Sequence, residues 1–336
     1  MNQVREQFAT KKTAFIFLMI GVVLAITLPV FVGGYVLHMT ISILILALFS
    51  LSVNLLLGYT GLLSFGQAGF YVVGAYGCAK LLILFPNLPL LGIFGGMAMA
   101  VVASILLGFL CVRHTAIYFS MLTLALGMMI YSGIRKIKWL GGGYGLPDLP
   151  IGTLFGARMD LIANYYYFVI IVAGIAFYLF YRLVHSPLGL TFQAIRDAET
   201  RVAFTGISVR NHRLFCFAIA GAYAGLAGAL RAVLYGSVYP LLGHWSTSAE
   251  PVIASLLGGM HTFAGPLVGA AVFYAIKDLI FRITDSAWQL PMGIMVVFLA
   301  LALRGGIVGS IQKRLLPWIR LRFRSEGNDL SGGSSA

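Results

Sequence analysis

Residues 37–57, LHMTISILILALFSLSVNLLL, decide the class of fold. The stretch holds no Asp, Glu, Lys or Arg, and a helix of about 20 apolar residues crosses the hydrocarbon core of a bilayer. Comparable runs lie at Ala14–Val32 and Leu90–Val112. The chain as a whole is 60% hydrophobic and only 10% charged, with a mean hydropathy of +0.94, whereas soluble domains carry about 25% charged residues. Continuous runs exclude a β-barrel, whose strands alternate over segments of about 10 residues. The reading is an all-α polytopic membrane protein. The first run lacks a small-residue cleavage site and further apolar runs follow it, so it reads as a span and not a cleaved signal.

Spans are expected at 14–33, 37–57, 68–85, 90–112, 115–132, 164–183, 214–236, 251–266, 267–282 and 288–303. That gives about ten helices. The 251–282 pair is short enough for a re-entrant hairpin, which opens the range to eight to ten. The expected organisation is a cytoplasmic N-terminus over 1–13, a transmembrane domain over 14–303 and a basic, then polar, cytoplasmic tail over 304–336.

Net charge is +13, but the cations lie between and beyond the spans, which argues against nucleic acid. With both termini inside, 15 Lys and Arg fall on the inner side and 6 on the outer, as the positive-inside rule requires. One outer loop, 133–163, opposes it with Arg135, Lys136, Lys138 and Arg158. Cys78, Cys111 and Cys216 sit in apolar stretches without metal-ligand spacing and read as packing residues. No G-x-x-x-x-G-K-[ST] phosphate loop occurs, so no ATPase, other enzymatic activity, cofactor or metal is expected. Lys80, Arg231, Lys277 and Asp278 are the main charges in or near spans. Intramembrane charge is a functional signal by default, with snorkelling from helix ends the alternative for Lys80 and Lys277.

The segment after the 37–57 span, GYTGLLSFGQAGF at 58–70, spaces glycines at Gly58, Gly61, Gly66 and Gly69. Asn54, Ser64 and Gln67 add polar groups that hydrocarbon cannot satisfy. Transporters build sites at broken helices of this kind; close helix packing is the structural alternative. A second cluster, EPVIASLLGGMHTFAGPLVGAA at 250–271, carries Gly258, Gly259 and Gly265, with Pro266 marking a break between two short helices. Glu250 has two readings, a carboxylate at a helix start or a partner for a substrate ammonium. His261 likewise reads as a pathway residue or a packed one.

Between two spans lies SPLGLTFQAIRDAETRVAFTGI, residues 186–207. Ser186 is a helix N-cap, Pro187 fits the first turn and Gly206 fits the left-handed position after the last. Thr191, Ile195, Ala198, Val202 and Thr205 share one face. Arg196, Asp197, Glu199 and Arg201 occupy the other, at spacings that allow local Asp197–Arg201 and Arg196–Glu199 pairs. Lipid-surface helices are rich in Lys and Arg; the balanced signs here favour a protein partner.

Ser186 to Gly189, Ala194 to Asp197, Glu199, Ala203 and Thr205 to Ile207 resemble the cytoplasmic loop of permease subunits of branched-chain amino acid ABC importers, the LivM branch of the LivH/LivM family. The spacing of Gly58, Gly61, Ser64, Gly66 and Phe70 is similar to the same family. So is the run Gly258, Gly259, Thr262, Gly265, Pro266, Gly269, Ala270, which departs from the family at His261 in place of glycine. The likeness covers most of 35–305. It implies that 186–206 is a coupling helix docking on an ATPase, with Arg196, Asp197, Glu199, Ala203 and Gly206 as coupling residues. The expected pathway residues are Asn54, Ser64, Gln67, Glu250 and His261. It further implies two ABC ATPase subunits, a second related permease subunit, a periplasmic substrate-binding protein and a bacterial inner-membrane location. Branched-chain or related apolar amino acids are the implied cargo, with urea, short amides or aromatic acids as family alternatives. A stand-alone secondary transporter or channel is the competing class, and it lacks the coupling carboxylates expected within spans.

Overall fold

In hydrocarbon a backbone N–H or C=O has no water to bond, so each apolar run must satisfy its own polar groups, and a helix does so within one segment. The computed structural model describes residues 29, 33–114, 116–154, 157–159, 161–260, 262–283, 293 and 306–309. Helix α1, Gly34–Asn54, runs directly into a π-helical turn, Leu55–Tyr59. There follow α2 Gln67–Leu84, α3 Pro89–Cys111, α4 Ala116–Lys136 and α5 Ile162–Val184. Helix α6, Pro187–Phe204, precedes α7 Val209–Tyr235, α8 Trp245–Gly258 and α9 Gly265–Ile283. Two-residue strands, β1 Thr153–Leu154 and β2 Ala157–Arg158, pair antiparallel within the loop between α4 and α5.

Among the described residues six helices are long and apolar enough to cross a membrane: α1 with its π-turn, α2, α3, α4, α5 and α7. They correspond to six of the expected spans. The expected segments 1–13, 14–33, 288–303 and 304–336 lie almost wholly outside the described residues.

The expected boundaries at 251–266 and 267–282 need correction. Helix α8 begins at Trp245, with Pro251 inside it, and α9 begins at Gly265 with Pro266 in its first turn. At 1.5 Å per residue the 14 residues of α8 rise about 21 Å, short of the ~30 Å hydrocarbon core. A turn at Pro240–Gly243 leads into it, and a β-carbon on Gly243 would meet Val72 in the interior of α2. So the turn before α8 packs on α2, while Trp245 at the start of α8 is half exposed.

Small residues set the packing. On α7, Gly221, Gly225 and Gly228 recur at steps of four and three, which puts them on one face. Added β-carbons there would strike Ser104 and Ala100 of α3 and the Tyr71 carbonyl of α2. Such close approach suits a membrane interior, where helices associate by van der Waals contact and hydrogen bonds more than by hydrophobic drive. Tyr223 of α7 donates to the Ala176 carbonyl of α5 at 2.8 Å, and Tyr165 of α5 donates to the Leu230 carbonyl of α7 at 2.5 Å. A second cluster joins Leu46 and Ala47 of α1 to Ala254 and Leu257 of α8 and Ala270 and Phe273 of α9. In contrast, α3, α4 and α5 leave rows of large apolar side chains uncovered, such as Leu106, Ile117 and Ile171. These are the faces that lipid would solvate.

Candidate functional site

Two constellations carry polar chemistry in the bundle, one where α6 meets it and one around the C-terminal end of α7. Helix α6 starts as its sequence dictates: the Ser186 hydroxyl accepts from the Gly189 N–H at 3.4 Å, with Pro187 in the first turn. Gly189, Phe192, Ile195 and Val202 are buried, while Asp197 is 66% exposed. Gly206 adopts φ +84°, the left-handed position assigned to it.

The helix is not continuous. Ala198 has φ −159° and ψ 77°, which breaks α6 in mid-course. Both expected local pairs, Asp197–Arg201 and Arg196–Glu199, straddle that break, so helical spacing no longer brings the partners together. Instead Arg196 Nε contacts its neighbour Asp197 at 2.9 Å. Glu199 accepts two bonds from Arg213 in the first turns of α7, Nη1 to Oε1 at 2.8 Å and Nη2 to Oε2 at 2.7 Å. The Arg213 side chain is only 7% exposed.

Arg196 also reaches out of α6 altogether. Its Nη1 donates to the Gly58 carbonyl at 2.5 Å, at the end of the π-turn that closes α1. Gly61 stands against it with φ +72°, and a β-carbon there would lie 2.9 Å from Arg196 Cγ. Both properties demand glycine. A β-carbon at Gly58 would in turn run into the Met260 carbonyl, so Met260 packs on the same turn. Gly258 of α8 and Gly265 of α9 lie in mutual contact. Gly58, Tyr59, His185, Gln193, Arg196 and Phe263 line a cavity of about 530 Å³ here.

The polar residues expected along the pathway are distributed. Asn54 is fully buried; its Nδ2 reaches the Thr262 carbonyl at 3.5 Å and its Oδ1 has no partner among the described residues. Ser64 accepts from the Gly66 N–H at 3.4 Å. Gln67 is fully buried at the start of α2, with neither amide atom partnered among the described residues. Gly66 is held against the Thr123 carbonyl of α4, and Gly69 against Gly127. His261 lies outside the described residues.

Glu250 belongs to the second constellation. The helix-start reading is corrected: His244 caps α8, its side chain accepting from the Ser246 N–H. Glu250, one and a half turns further in, takes a bond from Lys277 Nζ of α9 at 2.6 Å. Pairing thus replaces snorkelling for Lys277, and Lys80 sits 4.2 Å from the Trp139 ring centre. Arg231 of α7 lies 4.4 Å from the Tyr235 ring centre and 5.2 Å from that of Tyr239, to whose hydroxyl its Nη2 donates at 2.8 Å. Its Nη1 is buried without a partner among the described residues. These groups line a cavity of about 330 Å³. Ile45, Leu46 and Phe49 of α1 form its apolar wall, near the middle of the 26-residue span Gly34–Tyr59.

Sequence reasoning missed Arg213 as the partner of Glu199 and Arg231 as a member of a charged cavity. An arginine among the small residues of α7 was the available signal for the second. The first had none, because the tie depends on the break at Ala198. Among the described residues no cluster of His, Cys, Asp or Glu could hold a metal.

A family model described as branched-chain amino acid transport system, permease component, matches residues 35–303. The chain is 27% identical over 313 residues to the high-affinity branched-chain amino acid transport system permease protein LivM of Escherichia coli, covering 84% of this chain and 72% of that protein. Against the LivM of Salmonella typhimurium it is 26% identical over 346 residues, covering 94% and 78%. A ribose import permease protein, RbsC of Haemophilus influenzae, is 25% identical over 177 residues, covering 48% and 54%. No solved structure matches.

Proposed function

The chain belongs to the branched-chain amino acid transport permease family, and from that premise we propose that it is the membrane-spanning permease subunit of an ABC importer for branched-chain or related apolar amino acids. It crosses the membrane several times and hydrolyses no ATP itself. Two separate ATPase subunits drive it, a second related permease completes the pathway, and a periplasmic binding protein delivers the substrate. In this reading it lies in a bacterial inner membrane with 1–13, α6 and 304–336 on the cytoplasmic side.

The observation that carries the reading is the way α6 is wired. Its exposed carboxylate at Asp197 faces outward, while Arg196 binds the end of α1 and Glu199 binds α7. A helix that merely lay on a membrane would have no need of two charged ties into different spans. We assign Arg196, Asp197, Glu199, Ala203 and Gly206 to coupling. ATPase closure moves α6, and α6 displaces the Gly58–Gly61 turn together with Met260, which packs on it. Asn54, Ser64, Gln67 and Glu250 are assigned to the pathway those movements open.

Reconstitution tests this directly. Proteoliposomes holding this chain, its companion permease and the ATPases should take up leucine only with ATP inside and binding protein outside. Uptake on an ion gradient with no ATPase present would overturn the importer reading. In the Arg196→Ala/Glu199→Ala double variant, uptake should fall at least tenfold; unchanged uptake removes the coupling assignment.

A further inference from the structure

We infer that the 330 Å³ cavity between the middle of α1 and the C-terminal end of α7 is a binding site for the zwitterionic head of one amino acid, with Arg231 receiving the carboxylate. The inference rests on the importer reading and names what that reading leaves open, the groups that meet the cargo inside the membrane.

Charge is the first argument. The lining holds two cations, Arg231 and Lys277, and one carboxylate, Glu250. Burying a charge is costly unless it is paired, and Lys277 and Glu250 satisfy each other. Arg231 has no carboxylate partner in the lining: one nitrogen donates to a neutral phenol and Nη1 is buried with nothing to accept its protons among the described residues. A buried donor left unmade costs about 1–3 kcal/mol, more when it is charged. Such a group is poised for an anion, and a guanidinium suits a carboxylate best.

Its position is fixed. The rings of Tyr235 and Tyr239 lie against the guanidinium, and their faces attract a cation. They hold the plane while its free edge stays available. The second argument is the complementary pole. Of the two Glu250 oxygens, Oε1 takes the bond from Lys277, which leaves Oε2, among the described residues, to accept from a ligand ammonium. Size and wall supply the third. At about 330 Å³ the cavity has room for a single amino acid. Ile45, Leu46 and Phe49 then face an aliphatic side chain, and apolar walls with few polar groups are what fix a small ligand's orientation. A sugar, with hydroxyls and no charge, would leave the Arg231 charge unanswered.

The test uses the whole permease–ATPase complex in lipid nanodiscs without nucleotide or binding protein, and radiolabelled leucine as the probe. Wild type should bind leucine saturably. 4-Methylpentanoate, which keeps the carboxylate, and 3-methylbutylamine, which keeps the amine, should each compete more weakly than leucine. Arg231→Gln should weaken leucine about tenfold to a hundredfold, the worth of one charged hydrogen bond, and abolish competition by the acid while the amine still competes. Glu250→Gln should do the reverse. Opposite losses in two variants cannot come from misfolding. Wild-type complex that transports leucine yet shows no saturable binding overturns the site, as does an Arg231→Gln variant with unchanged discrimination. Wild-type complex that transports no amino acid at all fails the importer reading instead.

Discussion

Removing the Glu199 carboxylate should cost more than removing its arginine, and the structure says by how much. Two charge-assisted bonds, at 2.8 and 2.7 Å, join them, each worth about 1.5–3 kcal/mol when well formed. Arg213 is 7% exposed but Glu199 is 44% exposed, so water recovers much of the carboxylate's share. Glu199→Gln leaves a buried guanidinium half-answered, because Arg213 Nε already lacks a partner among the described residues. We expect a loss of about 2 kcal/mol there. Arg213→Gln leaves a carboxylate that solvent can reach, for a loss of about 1 kcal/mol. The double variant has no orphaned charge and should resemble Arg213→Gln alone. The assay is titration of purified ATPase subunit onto the permease in nanodiscs. If only chains with α6 tied to α7 dock, the apparent Kd rises as that population falls, by up to about 30-fold for Glu199→Gln. Losses that simply add in the double variant, or an arginine variant worse than the glutamate one, refute the reasoning.

Gly61→Ala and Gly236→Ala both place a methyl at positive φ, +72° and +59°, and each should lower thermal resistance by about 1–2 kcal/mol equivalent. Only Gly61→Ala also meets Arg196 Cγ, so it alone should weaken ATPase docking; equal docking in the two variants removes Arg196 from the coupling route. Tyr223→Phe deletes the bond to the Ala176 carbonyl and should speed heat inactivation in line with about 1 kcal/mol, with leucine uptake at low temperature unaltered. A large uptake defect at low temperature would place Tyr223 in the transport cycle instead.

The spans were legible because a bilayer imposes one simple length rule, and residues 37–57 meet it without help from neighbours. Likewise Ser186 and Gly206 announced the ends of α6 through local backbone chemistry alone. Legibility failed where a contact depends on what another element brings. Glu250 read as a helix start because Pro251 follows it, yet Pro251 lies inside α8 and Lys277 arrives from α9. The local pairs around Arg196 assumed an unbroken helix, and one residue, Ala198, removed that assumption. Arg231 showed its charge in the sequence, but the bond that orients it comes from Tyr239, beyond the end of α7.

The break at Ala198 gives the proposed coupling helix two separate attachments. A rigid rod gripped by an ATPase would deliver one displacement, the same along its length. With a break at Ala198, the segment holding Arg196 is bonded to the end of α1 and the segment holding Glu199 to the start of α7, so under the proposed coupling each would pull on a different span. Those two spans contribute Phe49 and Arg231 to the lining of the same cavity. A single grip on a jointed α6 would then shift two parts of one cavity lining by different amounts, as a jaw does.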